Sequence, residues 1–280
     1  KNLKNEYKYV SSHWKHHLKD AEYLNIYNTT GFGEFTNKSH LRSMFHKTLQ
    51  LIIYGIKITY TKEFNLFKKI CKQQQRQLDV DVLRHVFTFN LLNKYKLLKK
   101  NICLIGDGRS NFASGLIKMN KSDLRIYSIN LPKVLINDYL MLKNYNLIND
   151  EDIIVVKNDI DIYRKDKKLF LIDVSNAHLL KNIKIDLFIN MVSMQEMTIE
   201  MIEKYFEIIK YNNSYFYCCN REYKKLYGGE EIIFSSYPWE FNKCKKIFYD
   251  DCSWHQKYYE LKRPFIRKYD GNVKHALVKY

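Results

Sequence analysis

The sequence predicts an α/β fold in which a mainly parallel sheet in residues 99–280 follows a helical region in residues 1–98. Three observations predict this arrangement. In the first 98 residues, apolar side chains recur at helical spacing over long stretches. From residue 101 onward, short apolar runs alternate with amphipathic segments, which is the pattern of βα units. The first of these runs ends in a glycine turn, Gly106-Asp107-Gly108, that leads into a helix.

The helical region contains three predicted helices. The first covers residues 36–55 and ends at Gly55, and the second covers residues 61–75. Asp79 or Asp81 caps a third helix that runs to Leu98, and a short strand is expected over residues 56–60. This region would form a lid, part of the acceptor site or a dimer surface.

The second region contains strands at residues 101–105, 124–129, 185–191 and 214–219, with helices at residues 111–119 and 132–144. Two further strands, at residues 153–156 and 169–172, compete for the place beside the second strand. Thr198 is placed to cap another helix, and residues 232–234, 246–249 and 274–279 predict terminal strands.

The composition is that of a folded chain without a membrane span. Apolar residues make up 46 % and aromatic residues 15 % of the chain, and the mean hydropathy is −0.45. No apolar run approaches the ~20 residues that a spanning helix needs. Six cysteines without a Cys-x-x-Cys pair predict reduced thiols. We therefore expect a soluble, cytoplasmic protein, with the inner face of a membrane left open as its location.

The net charge of +17 raises nucleic acid or an anionic membrane surface as a partner. However, most of the basic residues are lysines, and they are scattered along the chain without an arginine-rich arm. We therefore expect no nucleic-acid partner, while peripheral contact with an anionic membrane stays open. The sequence leaves the oligomeric state undetermined and allows a homo-oligomer.

The glycine turn predicts a cofactor site at the carboxyl end of the first strand. Glycine lets the backbone approach a ligand closely, and parallel sheets bind ligands at this edge. The turn lacks the third glycine of a dinucleotide site, because Asn111 occupies that position, and this favours S-adenosylmethionine (SAM). The predicted cofactor residues are Gly106, Asp107, Gly108, Asn130, Asp173 and Asn190.

Two of these residues carry specific roles. Asn130 ends the second strand, where nucleotide-binding sheets usually place an acid that binds the ribose hydroxyls. An asparagine there keeps a donor and an acceptor without the charge. Asp173 is placed to accept from the adenine amine if residues 169–172 form the third strand.

The segment after the strand at residues 185–191 brings Gln195 and Glu196 to the same edge of the sheet. It lacks the Asn-Pro-Pro-Tyr element that enzymes methylating base amines use, so oxygen chemistry is favoured. Glu196 is either catalytic or a favourable charge at a helix N-terminus.

Several ordered motifs resemble the putative sugar O-methyltransferases of bacterial surface-polysaccharide clusters. The matching segments are residues 186–197, 217–221, 237–239 and 252–259, together with 105–108, 130–132 and, more loosely, 11–14. The resemblance covers most of residues 101–280. It implies a Rossmann-like class I methyltransferase sheet, SAM as methyl donor and a sugar hydroxyl as acceptor.

Chemistry then assigns roles within these motifs. A sugar hydroxyl needs a base during methyl transfer, and we predict His255 and Glu196 as catalytic residues, with His13 and His275 as weaker alternatives. The acceptor would be bound by Gln195, Asn220, Arg221, Trp239 and Trp254. No group of carboxylates or histidines has a recognisable ligand spacing, so we predict no metal site.

The sequence thus predicts a SAM-dependent O-methyltransferase that acts on a sugar of a bacterial surface glycan or its precursor. Two alternatives remain. The net charge favours an RNA or DNA methyltransferase, and Asn130 in place of the usual acid favours a Rossmann-like module without catalysis.

Overall fold

The computed structural model describes residues 10–17, 40–119, 123–260 and 262–280. The α-helices are α1 (Ser12–His17), α2 (His40–Tyr54), α3 (Lys62–Gln73), α4 (Val80–Lys94), α5 (Asn111–Lys118), α6 (Pro132–Lys143) and α7 (Ile199–Tyr211). The first six strands are β1 (Asn101–Ile105), β2 (Arg125–Asn130), β3 (Ile153–Val156), β4 (Leu169–Asp173), β5 (Leu187–Met191) and β6 (Tyr215–Arg221). The others are β7 (Tyr223–Lys225), β8 (Glu231–Ile233), β9 (Lys245–Asp251), β10 (Lys257–Tyr259), β11 (Ile266–Lys268) and β12 (Val273–Lys279).

Eight strands form one sheet in the order β3-β4-β2-β1-β5-β6-β12-β9. The first six strands in this order are parallel to one another, whereas β12 runs antiparallel to both β6 and β9. This arrangement confirms the predicted α/β class and its Rossmann-like sheet. The strand beside β2 is β4, and β3 lies at the edge. Two ribbons, β7–β8 and β10–β11, stand outside the main sheet.

Side-chain caps fix the starts of three helices. The Thr61 hydroxyl accepts from the Phe64 amide at 3.1 Å, and the Thr198 hydroxyl accepts from the Met201 amide at 3.3 Å. Of the two candidates for α4, the cap is Asp79, whose carboxylate accepts from the amides of Asp81 and Val82.

The prediction differs from the structure at two helix boundaries. Helix α4 stops at Lys94 instead of Leu98, because Lys96 adopts a left-handed φ of 56° and the Leu97 amide bonds back to the Leu92 carbonyl. Residues 56–60 form a 3₁₀ turn and not a strand, since the Ile58 carbonyl accepts from the Thr61 amide. The predicted start of the first helix, residues 36–39, lies outside the described residues.

The sheet has a hydrophobic core on each face. On β1, Ile102 and Leu104 pack against the core that contains α3, α4 and α5, whereas Cys103 and Ile105 pack against the core that contains α7. The same alternation on β6 places Cys219 in the first core and Cys218 in the second. Helices α3 and α4 therefore share a core with the sheet. No helix among the described residues is long and apolar enough to cross a membrane.

Candidate active site

A cavity of about 460 Å³, here called the central cavity, opens at the carboxyl ends of β1, β2, β5 and β6. This is the edge at which open α/β sheets bind their ligands. Eight of the predicted site residues line it, namely Gly106, Asp107, Gly108, Asn130, Gln195, Glu196, Arg221 and His255. Asp173, Asn190, Asn220, Trp239 and Trp254 are not among the lining residues.

The turn after β1 is tightly fitted and strained. Gly106 has a φ of +71°, and a Cβ added there would lie 2.5 Å from the Cβ of Ser193. Two non-glycine residues of the same turn, Arg109 and Ser110, have φ values of 57° and 51°. Val192, another lining residue, stands next to the Ser193 that contacts this turn, and its φ of 60° is unfavourable for a β-branched residue. Such strain is found mainly at functional sites.

The carboxylate of Asp107 caps α5. Its two oxygens accept from the backbone amides of Phe112 and Ala113, at 2.9 and 2.7 Å. Burial raises the pKa of Asp107 to about 6, against the opposing effect of these two bonds. Asp107 thus forms part of the cavity wall while its side chain holds the helix that follows the glycine turn.

Asn130 stands at the end of β2, as predicted, and its amide is partly engaged. Its Nδ2 donates to the Asp138 carboxylate at 3.2 Å, and its Oδ1 accepts from the Leu131 amide at 3.2 Å. Burial, reinforced by the nearby Asp107, raises the pKa of Asp138 well above its ordinary value. The Asn130 side chain retains one N–H and one lone pair for a ligand in the cavity.

Asn190 and Asn220 hold the strand ends together beneath the cavity. Asn190 Nδ2 donates to the Ile105 carbonyl at 2.9 Å, and Asn220 Nδ2 donates to Asn190 Oδ1 at 2.8 Å. Asn220 Oδ1 accepts from the backbone amide of Gln195. The side-chain Oε1 of Gln195 in turn accepts from the backbone amide of Arg221. The two asparagines are fully buried and position the lining residues Gln195 and Arg221.

Glu196 sits at the centre of a charged group on one wall. Its carboxylate lies 2.6 Å from Lys224 Nζ and 3.4 Å from His13 Nε2. Burial would raise the pKa of Glu196, but His13 and Lys224 outweigh it and hold this pKa below its ordinary value. The Ser11 hydroxyl donates to the Glu196 carbonyl, which ties α1 to this wall.

Helix α4 forms a wall that the sequence analysis missed, contributing Asp81, Arg84 and His85. Arg84 Nη1 lies 2.8 Å from Asp81, and the Arg84 guanidinium stands 4.7 Å from the centre of the Tyr269 ring. Burial, together with the positive charges of Arg76 and Arg84, lowers the pKa of His85 to about 3. A signal was available in the sequence, since an Arg-His pair interrupts an apolar helix at positions next to the buried Val82 and Val86.

His255 is fully buried and contributes to the cavity wall. Its Nδ1 lies 3.6 Å from the Cys219 sulfur and 3.3 Å from the Cys252 sulfur. Burial, and after it the positive charge of Arg84, lowers the pKa of His255 well below its ordinary value. The imidazole is therefore neutral around pH 7.

Three predicted ligand residues stand outside the lining of the central cavity and contact other parts of the chain. The Asp173 carboxylate accepts hydrogen bonds from the amide and the hydroxyl of Ser175. Asp173 thereby caps the 3₁₀ helix that follows β4. Trp239 is buried in an aromatic cluster, and its Nε1 donates to the Phe234 carbonyl at 2.8 Å. Trp254 stacks on Phe87 with ring centres 5.6 Å apart. A tryptophan in a motif is thus used here for packing, which its large apolar surface favours.

No family model matches this chain, and no curated protein matches it. Solved structures that resemble its fold include a SAM-dependent methyltransferase from Clostridium acetobutylicum, at 12 % identity and a TM-score of 0.44, covering 86 % of this chain and 99 % of that one. Another is magnesium protoporphyrin IX methyltransferase from Synechocystis with bound SAM, at 8 % identity and a TM-score of 0.41, with the same coverage. A third is the methyltransferase domain of a bacterial Hen1, at 11 % identity and a TM-score of 0.40, covering 70 % of this chain and 97 % of that one. At such identities the likeness concerns the fold.

Proposed function

We propose that this chain is a SAM-dependent O-methyltransferase whose acceptor is a sugar hydroxyl of a bacterial surface glycan or of its precursor. The observation that carries the proposal is a single cavity that joins the glycine turn after β1 to side chains able to accept a proton. Its volume of about 460 Å³ is that of a small-molecule site. The sugar acceptor rests on the resemblance of the sequence motifs.

The cofactor half of the cavity lies between the ends of β1 and β2. When bound, SAM supplies an electrophilic methyl group on a sulfonium. Gly106 leaves its backbone open to the ligand, in a turn where no other side chain fits beside Ser193. Asn130 offers its remaining N–H and lone pair to the ribose hydroxyls.

Proton removal is assigned to His13 and Glu196. The acceptor hydroxyl loses its proton as the new C–O bond forms, and a positioned base contributes ~10²–10⁴-fold to the rate. His13 lines the cavity, and its Nε2 faces the Glu196 carboxylate at 3.4 Å. The carboxylate orients this imidazole and stabilises the imidazolium that forms, as in other carboxylate–histidine pairs.

His255 is the alternative base. Its Nδ1 faces two sulfur atoms, which leaves Nε2, a buried atom with no hydrogen-bond partner among the described residues. Its lowered pKa makes His255 a weaker base than an ordinary histidine, whereas the His13 ring faces a carboxylate that can orient it for proton removal. This difference favours His13.

Two arginines support an acceptor that carries negative charge. Arg221 and Arg84 both stand over the Tyr269 ring, at 4.8 and 4.7 Å from its centre. The Arg84 Nε and Nη2 and the Arg221 Nε are buried without a hydrogen-bond partner in the described chain. A phosphate of an activated or lipid-linked sugar would satisfy these donors.

The first experiment is calorimetric titration with SAM and S-adenosylhomocysteine, with NAD as the control. Saturable binding of the first two, without binding of NAD, is expected. Binding of neither by folded protein would refute the enzyme proposal and leave a non-catalytic module. Transfer of labelled methyl from SAM is then measured on nucleotide-linked sugars, lipid-linked sugars and RNA. Labelled RNA, with an affinity that falls steeply with salt, would instead support the nucleic-acid alternative.

The second experiment compares Glu196→Gln, His13→Gln and His255→Gln, with the exposed Glu203→Gln as the matched control. If His13 and Glu196 act together, both variants lose ~10²–10⁴-fold in turnover while SAM affinity is retained. Turnover near wild type in His13→Gln, combined with a large loss of turnover in His255→Gln, would identify His255 as the base.

A further inference from the structure

Two cysteines and a histidine meet at the wall of the central cavity, on the sheet face that carries α4. Cys219 lies near the end of β6, Cys252 follows β9, and His255 ends the 3₁₀ turn of residues 253–255. All three side chains are fully buried, and their ligand atoms lie within 4.8 Å of one another. No short motif in the sequence indicates this group, because Cys219 stands 33 positions before Cys252 and 36 positions before His255.

We propose that Cys219, Cys252 and His255 bind one thiophilic divalent cation, Zn²⁺ being the best fit. Structural and catalytic zinc sites use thiolate and imidazole ligands at ~2.3 and ~2.0 Å. Tetrahedral geometry then separates a sulfur and a nitrogen ligand by roughly 3.6 Å. The observed separations from His255 Nδ1 are 3.6 Å to Cys219 and 3.3 Å to Cys252, so the side chains need little movement.

The donor set also selects the ion. Two thiolates and an imidazole are soft to borderline ligands, which disfavour Mg²⁺ and Ca²⁺ and favour Zn²⁺. Two thiolates balance the charge of the divalent ion, so a neutral group is buried. With three protein ligands the site has one position left for a water or another small ligand, as in Cys₂His zinc sites.

The ion would connect two parts of the cavity wall. Cys219 belongs to the central sheet, whereas Cys252 and His255 belong to the segment that follows the peripheral strand β9. Metal bonded to Nδ1 also leaves the His255 proton on Nε2, where it can donate a hydrogen bond but cannot accept the acceptor's proton. The metal would thus make His255 a positioning residue and leave proton removal to His13 and Glu196.

The test is direct metal binding by the reduced protein. After treatment with a chelator, the protein is titrated with Co²⁺ and the bound ion is then displaced with Zn²⁺. We expect one equivalent of Co²⁺, with the intense visible bands of a tetrahedral site and a thiolate-to-cobalt charge-transfer band. We also expect Zn²⁺ to raise the melting temperature by mass action.

Cys219→Ser and Cys252→Ser should lose the charge-transfer intensity and the rise in melting temperature with Zn²⁺. Cys218→Ser is the matched control, because Cys218 is the neighbouring residue of β6 and lies in the core on the opposite face of the sheet. Circular dichroism checks that each variant is folded. Absence of a stoichiometric, thiolate-ligated ion in the wild type overturns the proposal, whatever the variants do. Retention of the full charge-transfer band in both serine variants overturns it as well.

Discussion

Replacing Gly106 with alanine tests whether the turn after β1 is built around the absence of a side chain. Two costs can be worked from the structure. A left-handed φ of +71° costs about 1–2 kcal/mol for a residue with a Cβ. The new methyl would also overlap the Ser193 side chain, with its Cβ only 2.5 Å from the Ser193 Cβ, and overpacking costs about 1–3 kcal/mol. We therefore expect Gly106→Ala to lower the free energy of unfolding by about 2–5 kcal/mol.

Gly55→Ala separates these two costs. Gly55 has almost the same φ, +74°, but a Cβ added there would meet no atom within 4 Å. The ψ of Gly55 is 165°, a combination that is essentially limited to glycine, so this variant should lose a conformational cost of about 1–3 kcal/mol without a packing cost. Urea unfolding of both variants and the wild type gives the two losses, and a larger loss in Gly106→Ala is expected from the added overlap with Ser193.

Calorimetry with SAM then links the turn to the proposed site. Relief of the overlap must shift the backbone of Gly106 or the Ser193 segment, and about 1.4 kcal/mol lost from the bound state lowers affinity tenfold. Gly55→Ala should bind SAM like the wild type. Equal stability losses in the two variants, together with unchanged SAM affinity in Gly106→Ala, would refute the reasoning.

Three further predictions concern Asp107, Trp239 and Asn130. The folded-state pKa of Asp107 is raised from 3.8 to about 6, so its contribution to stability is complete below pH 3.8 and is lost as pH rises through 6. Relative to Asp107→Asn, the free energy of unfolding of the wild type should fall by about 2 kcal/mol between pH 4 and pH 7 in urea unfolding. Equal pH profiles of the two proteins would contradict this. Trp239→Phe removes one of the two hydrogen bonds to the Phe234 carbonyl, which also accepts from the Tyr237 amide, and this loss should cost about 0.5–1.5 kcal/mol of stability. The KM for the sugar should stay at its wild-type value, and a raised KM would support the predicted ligand role. Asn130→Asp places a second carboxyl beside the buried Asp138, so its stability should fall relative to the wild type as pH rises from 5 to 8, and a parallel profile would count against the contact.

The sheet was predictable because its signals are local. Apolar runs bounded by turns fix the strands, and caps such as Thr198 fix helix starts, so each element follows from neighbouring residues. The pairing of β4 with β2 was not predictable, since two apolar runs of similar length competed for that place. The end of α4 also depends on a backbone feature, the left-handed conformation of Lys96.

The candidate site was predictable only where it follows the strands. The glycine turn, Asn130 and Glu196 stand at strand ends, and the topology brings such ends to one edge. Arg84 and His85 reach the cavity from a helix that precedes the sheet, and no short motif connects that helix to a strand end. Trp239 and Trp254 lie outside the cavity lining and pack against other aromatic rings, so a matching motif alone does not separate a packing tryptophan from one that binds a ligand.

The structure gives a physical reason for Asn130, which stands where nucleotide-binding sheets usually have an acid. The usual acid is absent from the end of β2, but a buried acid, Asp138, stands eight residues later on α6 and accepts from both Asn130 Nδ2 and the Ser110 amide. Asp107 already places another buried carboxylate in the same region, and its charge contributes to the raised pKa of Asp138. A third acid at position 130 would add like charge in a place where burial already disfavours ionisation. An amide there binds Asp138, keeps groups free for a ribose and adds no charge, so the departure is compatible with a working cofactor site.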